Sequence, residues 1–274
     1  MLTPIKDYPA ILFSNQGQKI LLIADLHLGW EMGLSKKGIH VPSQMPKLRD
    51  RVVRLVSKIH PDKLLILGDV KHTITKTELG EWRDVPQFFS DLVEHIRDIQ
   101  IIRGNHDGNL EPLLPPAIPV HPASGIAFGE LGVFHGHTWP SKKLLKCRTL
   151  LMAHVHPTVT LFDSFGFRMM APVWVKARID AGELSKIYGQ KQAKPWTGDK
   201  KLKKRSLGPK VCQLFVMPCF NHFLGGRPIN KLSTGRKYIS PLLRSKAIDL
   251  DSADVSLLDG SFLGKVDQLR TLAQ

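Results

Sequence analysis

The sequence predicts an α/β (α+β) fold, two β-sheets packed face to face and flanked by helices. Three observations carry this. The apolar runs Ile20 to Ala24, Leu64 to Leu67 and Ile99 to Ile102 have the length of strands buried on both faces, and each stops abruptly at polar residues. Stretches of helical period separate them, so strand, helix, strand, helix, strand reads as a wound βαβ sheet. Beyond Pro112 the pattern shifts to short strands without full helices between them, which predicts a second sheet on the first.

In chain order, Ala10 to Phe13 and Lys19 to Ala24 flank the turn-forming Ser14-Asn15-Gln16-Gly17, a hairpin. Residues 29–44, with Gly33, Gly38 and Pro42, are expected to loop along the wall of a site that starts at Asp25. From Pro46, apolar Leu48, Val52, Leu55, Val56 and Ile59 recur at three and four, an amphipathic helix closed by Pro61. Asp84-Val-Pro86 reads as the capped start of a second helix, with Phe88, Phe89, Leu92, Val93 and Ile96 as its core stripe. The second sheet is expected from Gly125 to Phe128, Leu131 to His135, Thr149 to Ala153, Val159 to Phe162, Phe167 to Ile179 and Val211 to Met217. Lys237 to Ile239 and Val255 to Leu258 are further strand-like pieces. One domain over residues 1–274 is expected, with an excursion near 181–210.

Composition sets the class. With 42% hydrophobic and 23% charged residues and no apolar run near the ~18 residues of a membrane span, a soluble globular chain is expected, with no membrane partner. The N-terminus lacks the basic, apolar and small-residue order of a secretory leader, so a cytoplasmic location is expected. Cys147, Cys212 and Cys219 are odd in number and lack CxxC spacing, which favours reduced structural thiols. The net charge of +15 is uneven: residues 1–175 hold 20 Lys/Arg against 16 Asp/Glu, and residues 176–274 hold 19 against 8. Within 191–210, eight basic residues face Asp199 alone, a segment suited to a polyanion such as nucleic acid or to a solvated loop.

Polar residues gather where the apolar runs end. Asp25 and His27 are two apart, so an extended chain turns both to one side. Asp69, then Asn105, His106 and Asp107, then His135, His154 and His156 follow at later strand ends, where open α/β sheets place ligands. A single Asp or His there would ordinarily be a turn or capping residue; nine in order are not.

This ordered set, Asp25-Leu-His27, Gly68-Asp69, Gly104-Asn-His-Asp107, His135-Gly136 and His154-Val-His156, resembles the calcineurin-like metallophosphoesterase superfamily. The surrounding residues, Trp30-Glu31, Lys71-His72, Thr138-Trp-Pro140, Asn221 and Leu257-Leu-Asp-Gly260, look like small archaeal phosphoesterases related to the SbcD-type repair nuclease. The resemblance implies a metallophosphoesterase-type four-layer sandwich and a dinuclear-metal-dependent phosphohydrolase. It implies a phosphodiesterase using a metal-bridging hydroxide, with nucleic acid as a candidate substrate; a phosphomonoesterase or nucleotide hydrolase using the same site, or a non-catalytic binding module, are the alternatives. Asp25, His27 and His156 would bind one ion; Asn105, His135 and His154 would bind the second, with Asp69 bridging. Mn²⁺ comes first among the ions, with Fe²⁺, Zn²⁺ or Ni²⁺ as alternatives, and the absence of thiolate ligands disfavours a structural zinc site.

His106 would stabilise the transition state or protonate the leaving oxygen, with Asp107 fixing its ring. His72 and His137 would hydrogen-bond near the ligands or to substrate, and Trp30 and Trp139 would stack on a base or pack at the rim. His40, His60, His95, His121 and His222 are read as structural. Ala153 stands where the superfamily has Gly, and an extended backbone there would accommodate it.

Overall fold

The computed structural model describes residues 1–163, 165–190, 211–231 and 238–272. Its first sheet has six strands in the order β1 (Leu2–Pro4), β2 (Ile11–Asn15), β3 (Gln18–Ile23), β4 (Lys63–Ile66), β5 (Ile99–Ile102) and β6 (Val120–His121). The expected hairpin is β2–β3, paired antiparallel. Its turn is shorter than the sequence suggested, because Gln16 (φ 49°) and Gly17 (φ 82°) both adopt the left-handed region that a tight two-residue connection needs. From β3 to β6 every pairing is parallel. Helices α2 (Met45–Ile59) and α3 (Leu79–Val93) supply the crossovers, and a short α1 (Met32–Ser35) lies in the loop expected between Gly29 and Gln44.

One helix start differs from the expectation. Helix α3 begins at Leu79, seven residues before Pro86, and runs through that proline. Glu78 and Glu81 close a reciprocal capping box, which fixes the start at Glu78 rather than at the neighbouring Thr77. Pro86 removes one backbone hydrogen bond, a cost of about 3 kcal/mol in a helix interior. Burial of Val85, Phe88, Phe89 and Leu92 against the sheet offsets it, since each large apolar side chain withdrawn from water contributes about 1.5–3 kcal/mol.

The second sheet runs β13 (Arg227–Pro228), β10 (Pro157–Phe162), β11 (Arg168–Ile179), β12 (Gln213–Val216), β9 (Thr149–Met152), β8 (Leu131–Val133), β7 (Ile126–Phe128). The long β11 also pairs with β14 (Ile248–Leu257), which pairs with β15 (Phe262–Lys265). Only the end of β14 was expected, as Val255 to Leu258. Ile239 belongs to no strand, and Lys237 lies outside the described residues. Within the expected 181–210 excursion, Ala181–Gln190 is helix α4, whose Leu184 is fully buried; the basic residues 191–210 lie outside the described residues.

Period-two alternation builds the layers. Leu21 and Ile23 face outward to α2 and α3, whereas Ile20, Leu22 and Ala24 face inward to Leu151, Ala153, Trp174 and Met217 of the second sheet. Leu150 and Met152 face the opposite way, to Leu184 of α4 and to Val266 and Leu269 of α5 (Val266–Thr271). The result is helix, sheet, sheet, helix. Strands β3, β4, β5, β8 and β9 all end at one edge of this sandwich.

Candidate active site

Strand ends from both sheets converge there. Asp25 and His27 follow β3, Asp69 follows β4, and Asn105, His106 and Asp107 follow β5; His135 follows β8, and His154 and His156 lie between β9 and β10. The backbone leaves the strands by sharp left-handed turns. Asp25 (φ 58°), His27 (46°), Asp69 (51°), His154 (73°) and His156 (42°) all hold positive φ, a conformation that costs a non-glycine residue on the order of 1–3 kcal/mol and clusters at functional sites. Ala153 is absent from that set, so a side chain is tolerated there as expected. Two glycines are fixed by crowding: a Cβ on Gly68 would stand 2.5 Å from His135 Nδ1, and one on Gly104 would stand 2.1 Å from Asp69 Oδ1.

Among the described residues, three groups of side chains each bring one candidate ligand atom per residue within 4.8 Å of one another: His27 with His72 and His106, and two that combine a carboxylate with two imidazoles. Of these two, the first is Asp25, His27 and His156; the second is Asp69, His135 and His154. His27 Nε2 and His156 Nε2 are 3.3 Å apart, and Asp25 Oδ2 is 3.5 Å from His156 Nε2. Asp69 Oδ2 lies 3.3 Å from His135 Nε2 and 3.6 Å from His27 Nε2, between the groups. Asn105 Oδ1 and Asp25 Oδ1 are buried with no hydrogen-bond partner among the described residues, a costly arrangement unless something else is ligated there. His135 Nδ1 donates to the Leu67 carbonyl (2.6 Å), which leaves Nε2 as the ligating atom. Two carboxylates, four imidazoles and an amide oxygen, with no thiolate, fit borderline divalent cations.

The electrostatics agree. Asp69 is buried, which alone would raise its pKa, but His135 and His27 drive it well below the usual carboxylate range. His135 is likewise fully buried, yet Asp69 and Asp25 hold its ring up at about 9. Burial of His156 is overridden by Asp25, which holds it up to about 12. His154 goes down to about 3 and His137 to about 4, by burial and by their neighbour His135.

Several expected residues take other partners. Asp107 does not orient His106: its carboxylate accepts the backbone N–H groups of Gly104 (2.7 Å) and Val70 (2.8 Å) and so ties the Asp69 loop to the Asn105 loop. Fully buried, its carboxyl is pushed up to about 6, by desolvation first and Asp69 second. The ring of His106 is held by its Nδ1–H donating to the His72 carbonyl, and its backbone N–H donates to Asp69 Oδ1 (2.9 Å). The rings of His72 and His106 stand 5.5 and 4.8 Å from that of His27, and His137 stands 5.2 Å from His135. Trp30 stays beside the centre, stacked on Phe223 at 5.8 Å. Trp139 turns away to pack edge-on against Tyr188 of α4.

Two positions had little sequence signal. Buried Asn221 donates from Nδ2 to the Leu26 carbonyl (2.8 Å) and pins the turn carrying Asp25 and His27; it appeared only within the resemblance. Fully buried Glu81 accepts the His72 and Thr73 N–H groups (2.9 and 2.7 Å), setting the carbonyl that holds His106. A Glu in a helix offers no motif to find it by.

Comparison with known proteins matches the picture. The family model described as Calcineurin-like phosphoesterase matches residues 18–181. No curated protein matches the sequence. Among solved structures, a Pseudomonas putida nuclease, MPE, aligns with a TM-score of 0.52 at 17% identity, over 93% of this chain and all of that one. The phosphoesterase YfcE of E. coli aligns at 17% identity and TM-score 0.33 over 53% of this chain and 74% of that one. A predicted phosphoesterase of Streptococcus pneumoniae TIGR4 aligns at 13% and 0.30, over 89% and 92%. With the matched segment spanning more than half of the sequence and carrying every residue of the two ligand groups, this chain belongs to the calcineurin-like phosphoesterases, hydrolases of phosphate ester bonds.

Proposed function

We propose that the protein is a dinuclear-metal-dependent phosphodiesterase acting on nucleic acid. The observation that carries this is the pair of ligand groups, Asp25/His27/His156 and Asp69/His135/His154, with Asp69 between them. When bound, two divalent ions, Mn²⁺ first among them, supply Lewis acidity to the phosphoryl oxygens and a water of lowered pKa.

The chain's own residues do the rest. Asp69 holds both groups in register through its contacts with His27 and His135. His106, with Nδ1 committed to the His72 carbonyl, presents Nε2 to the centre, 3.9 Å from Asp69 Oδ2. Protonated there, it hands that proton to the departing ester oxygen; neutral, it orients a phosphoryl oxygen's hydrogen-bonding water. Asp107 and Asn221 keep the loops in place.

The net charge of +15, the basic residues of 191–210 and the further likeness to small SbcD-related phosphoesterases support a polyanionic substrate. So does the name nuclease carried by the Pseudomonas putida relative. The test is to strip metal, restore Mn²⁺, and compare bis(4-nitrophenyl) phosphate, 4-nitrophenyl phosphate, cyclic nucleotides and single-stranded DNA. Diester and DNA cleavage is expected; hydrolysis of monoesters alone would overturn the diester reading.

A further inference from the structure

Beside the first ligand group lies a cavity of about 200 Å³ that the metal centre leaves unused. His156, Met170, Pro172, Arg51 and His222 are among the residues that line it. Arg51 is the unusual member. It projects from α2, half-buried, with its guanidinium over the rings of Tyr8 (5.3 Å) and Phe220 (4.8 Å). One N–H donates to the Phe220 carbonyl (2.7 Å), and the same nitrogen lies 3.4 Å from His222 Nδ1.

Among the described residues, no carboxylate pairs with it. Arg49, two positions earlier, is by contrast paired with Asp50 (2.8 Å) and Asp91 (2.7 Å). A guanidinium has five donors, and burying it without an anion is costly, so the residue is poised for an anion from outside. Lys47 stands 5.4 Å over Phe223, and Phe223 stacks on Trp30, so the same rim offers a second cation and an aromatic face. Cations and ring faces beside a phosphoryl-transfer centre are what a single nucleic-acid strand requires.

We propose that this cavity binds the phosphate next to the scissile one in a single-stranded polynucleotide, with Arg51 as its anchor and a specificity-determining residue. The proposal rests on the phosphodiesterase reading and adds that the substrate must carry a neighbouring phosphate.

The test uses the full metal-loaded chain with Arg51→Gln and Met170→Asp. Met170 is 42% exposed and lines the same cavity, so an acid there tests it while leaving the Arg51 side chain intact. Affinity for single-stranded oligothymidylate is read by fluorescence anisotropy at several salt concentrations, alongside the kcat/KM ratio of oligothymidylate to bis(4-nitrophenyl) phosphate.

Both variants are expected to weaken oligothymidylate binding roughly tenfold, and Arg51→Gln to lower the slope of log affinity against log salt by about 1. The kcat/KM ratio is expected to fall by a similar factor. Unchanged affinity in both variants, or equal fractional losses on the two substrates, overturns the proposal, as does a wild-type protein with no oligothymidylate affinity. Bis(4-nitrophenyl) phosphate has no second phosphate and reads the centre alone. If the wild type fails to hydrolyse it, the phosphodiesterase reading falls, while the oligothymidylate affinities still decide the cavity.

Discussion

The two ligand groups are built from the same residue types in the same burial pattern, and they differ in what they border. Each has two buried ligands and one partly exposed histidine, His156 in the first and His154 in the second, and of these two His156 borders the Arg51 cavity. Each group takes ligands from both sheets, so neither is complete until the sandwich has closed. The difference points to a division of labour in which the first group meets the strand held in the Arg51 cavity and the second completes the pair of ions from the far side.

Asp69→Asn is the strongest way to break that division, because Asp69 serves both groups. Loss of turnover on the order of 10³-fold is expected, with loss of both ions in elemental analysis, since several kcal/mol of transition-state stabilisation depend on the pair. Next, His135→Ala and His156→Ala should part company. His135→Ala empties the second group and removes the ring bonded to the Leu67 carbonyl, so it should lower the melting temperature more than His156→Ala, which empties the first group and loses diesterase activity. Equal stability losses in the two would erase the distinction. Asp107→Asn comes third: an amide facing the Gly104 and Val70 N–H groups satisfies only one of them, so metal affinity is expected to fall about 10–100-fold, measured by competition with a chelator.

The smallest effect is in pH. Below the usual histidine value of roughly 6.5, an unfolded chain takes up protons that His137 and His154, held at about 4 and about 3, refuse, so these two destabilise the metal-stripped fold as pH falls. His135 and His156, held up to about 9 and about 12, act oppositely. The folded chain keeps protons that the unfolded one releases, and their stabilisation is lost as pH rises through their folded values. Metal must displace those protons, so the rise in melting temperature on adding Mn²⁺ should be larger near pH 8 than near pH 6, with net proton release in buffer-dependent calorimetry. A gain independent of pH would place the ions elsewhere.

How much of this was legible in the sequence depends on whether the determinants are local. β3, β4 and β5 declare themselves because a buried parallel strand is a continuous apolar run, and the ligands sit where those runs stop. α2 was readable from its periodicity. α3 was misplaced because Pro86 looks like a first-turn proline, while the real start depends on a Glu78–Glu81 exchange whose partners include the distant Thr73. β14 was mostly missed because its reason for existing is a pairing with β11 some 80 residues away, which no local pattern encodes, and β15 in turn depends on β14. Asp107 shows the limit on roles: adjacency to His106 suggested an orienting partner, and only the folded chain reveals that its carboxylate binds two backbone loops. Arg51 carried no signal, because a lone Arg on a basic helix face gains meaning only from the carboxylate it lacks.

The measurement that bears most directly on the central claim is a Mn²⁺ titration of the stripped protein, following bound ion and bis(4-nitrophenyl) phosphate hydrolysis in the same samples. Activity is expected to stay near baseline through the first equivalent, rise with the second, and be absent throughout in Asp69→Asn. Full activity at one equivalent, or two bound equivalents without hydrolysis, would contradict a two-ion phosphodiesterase centre.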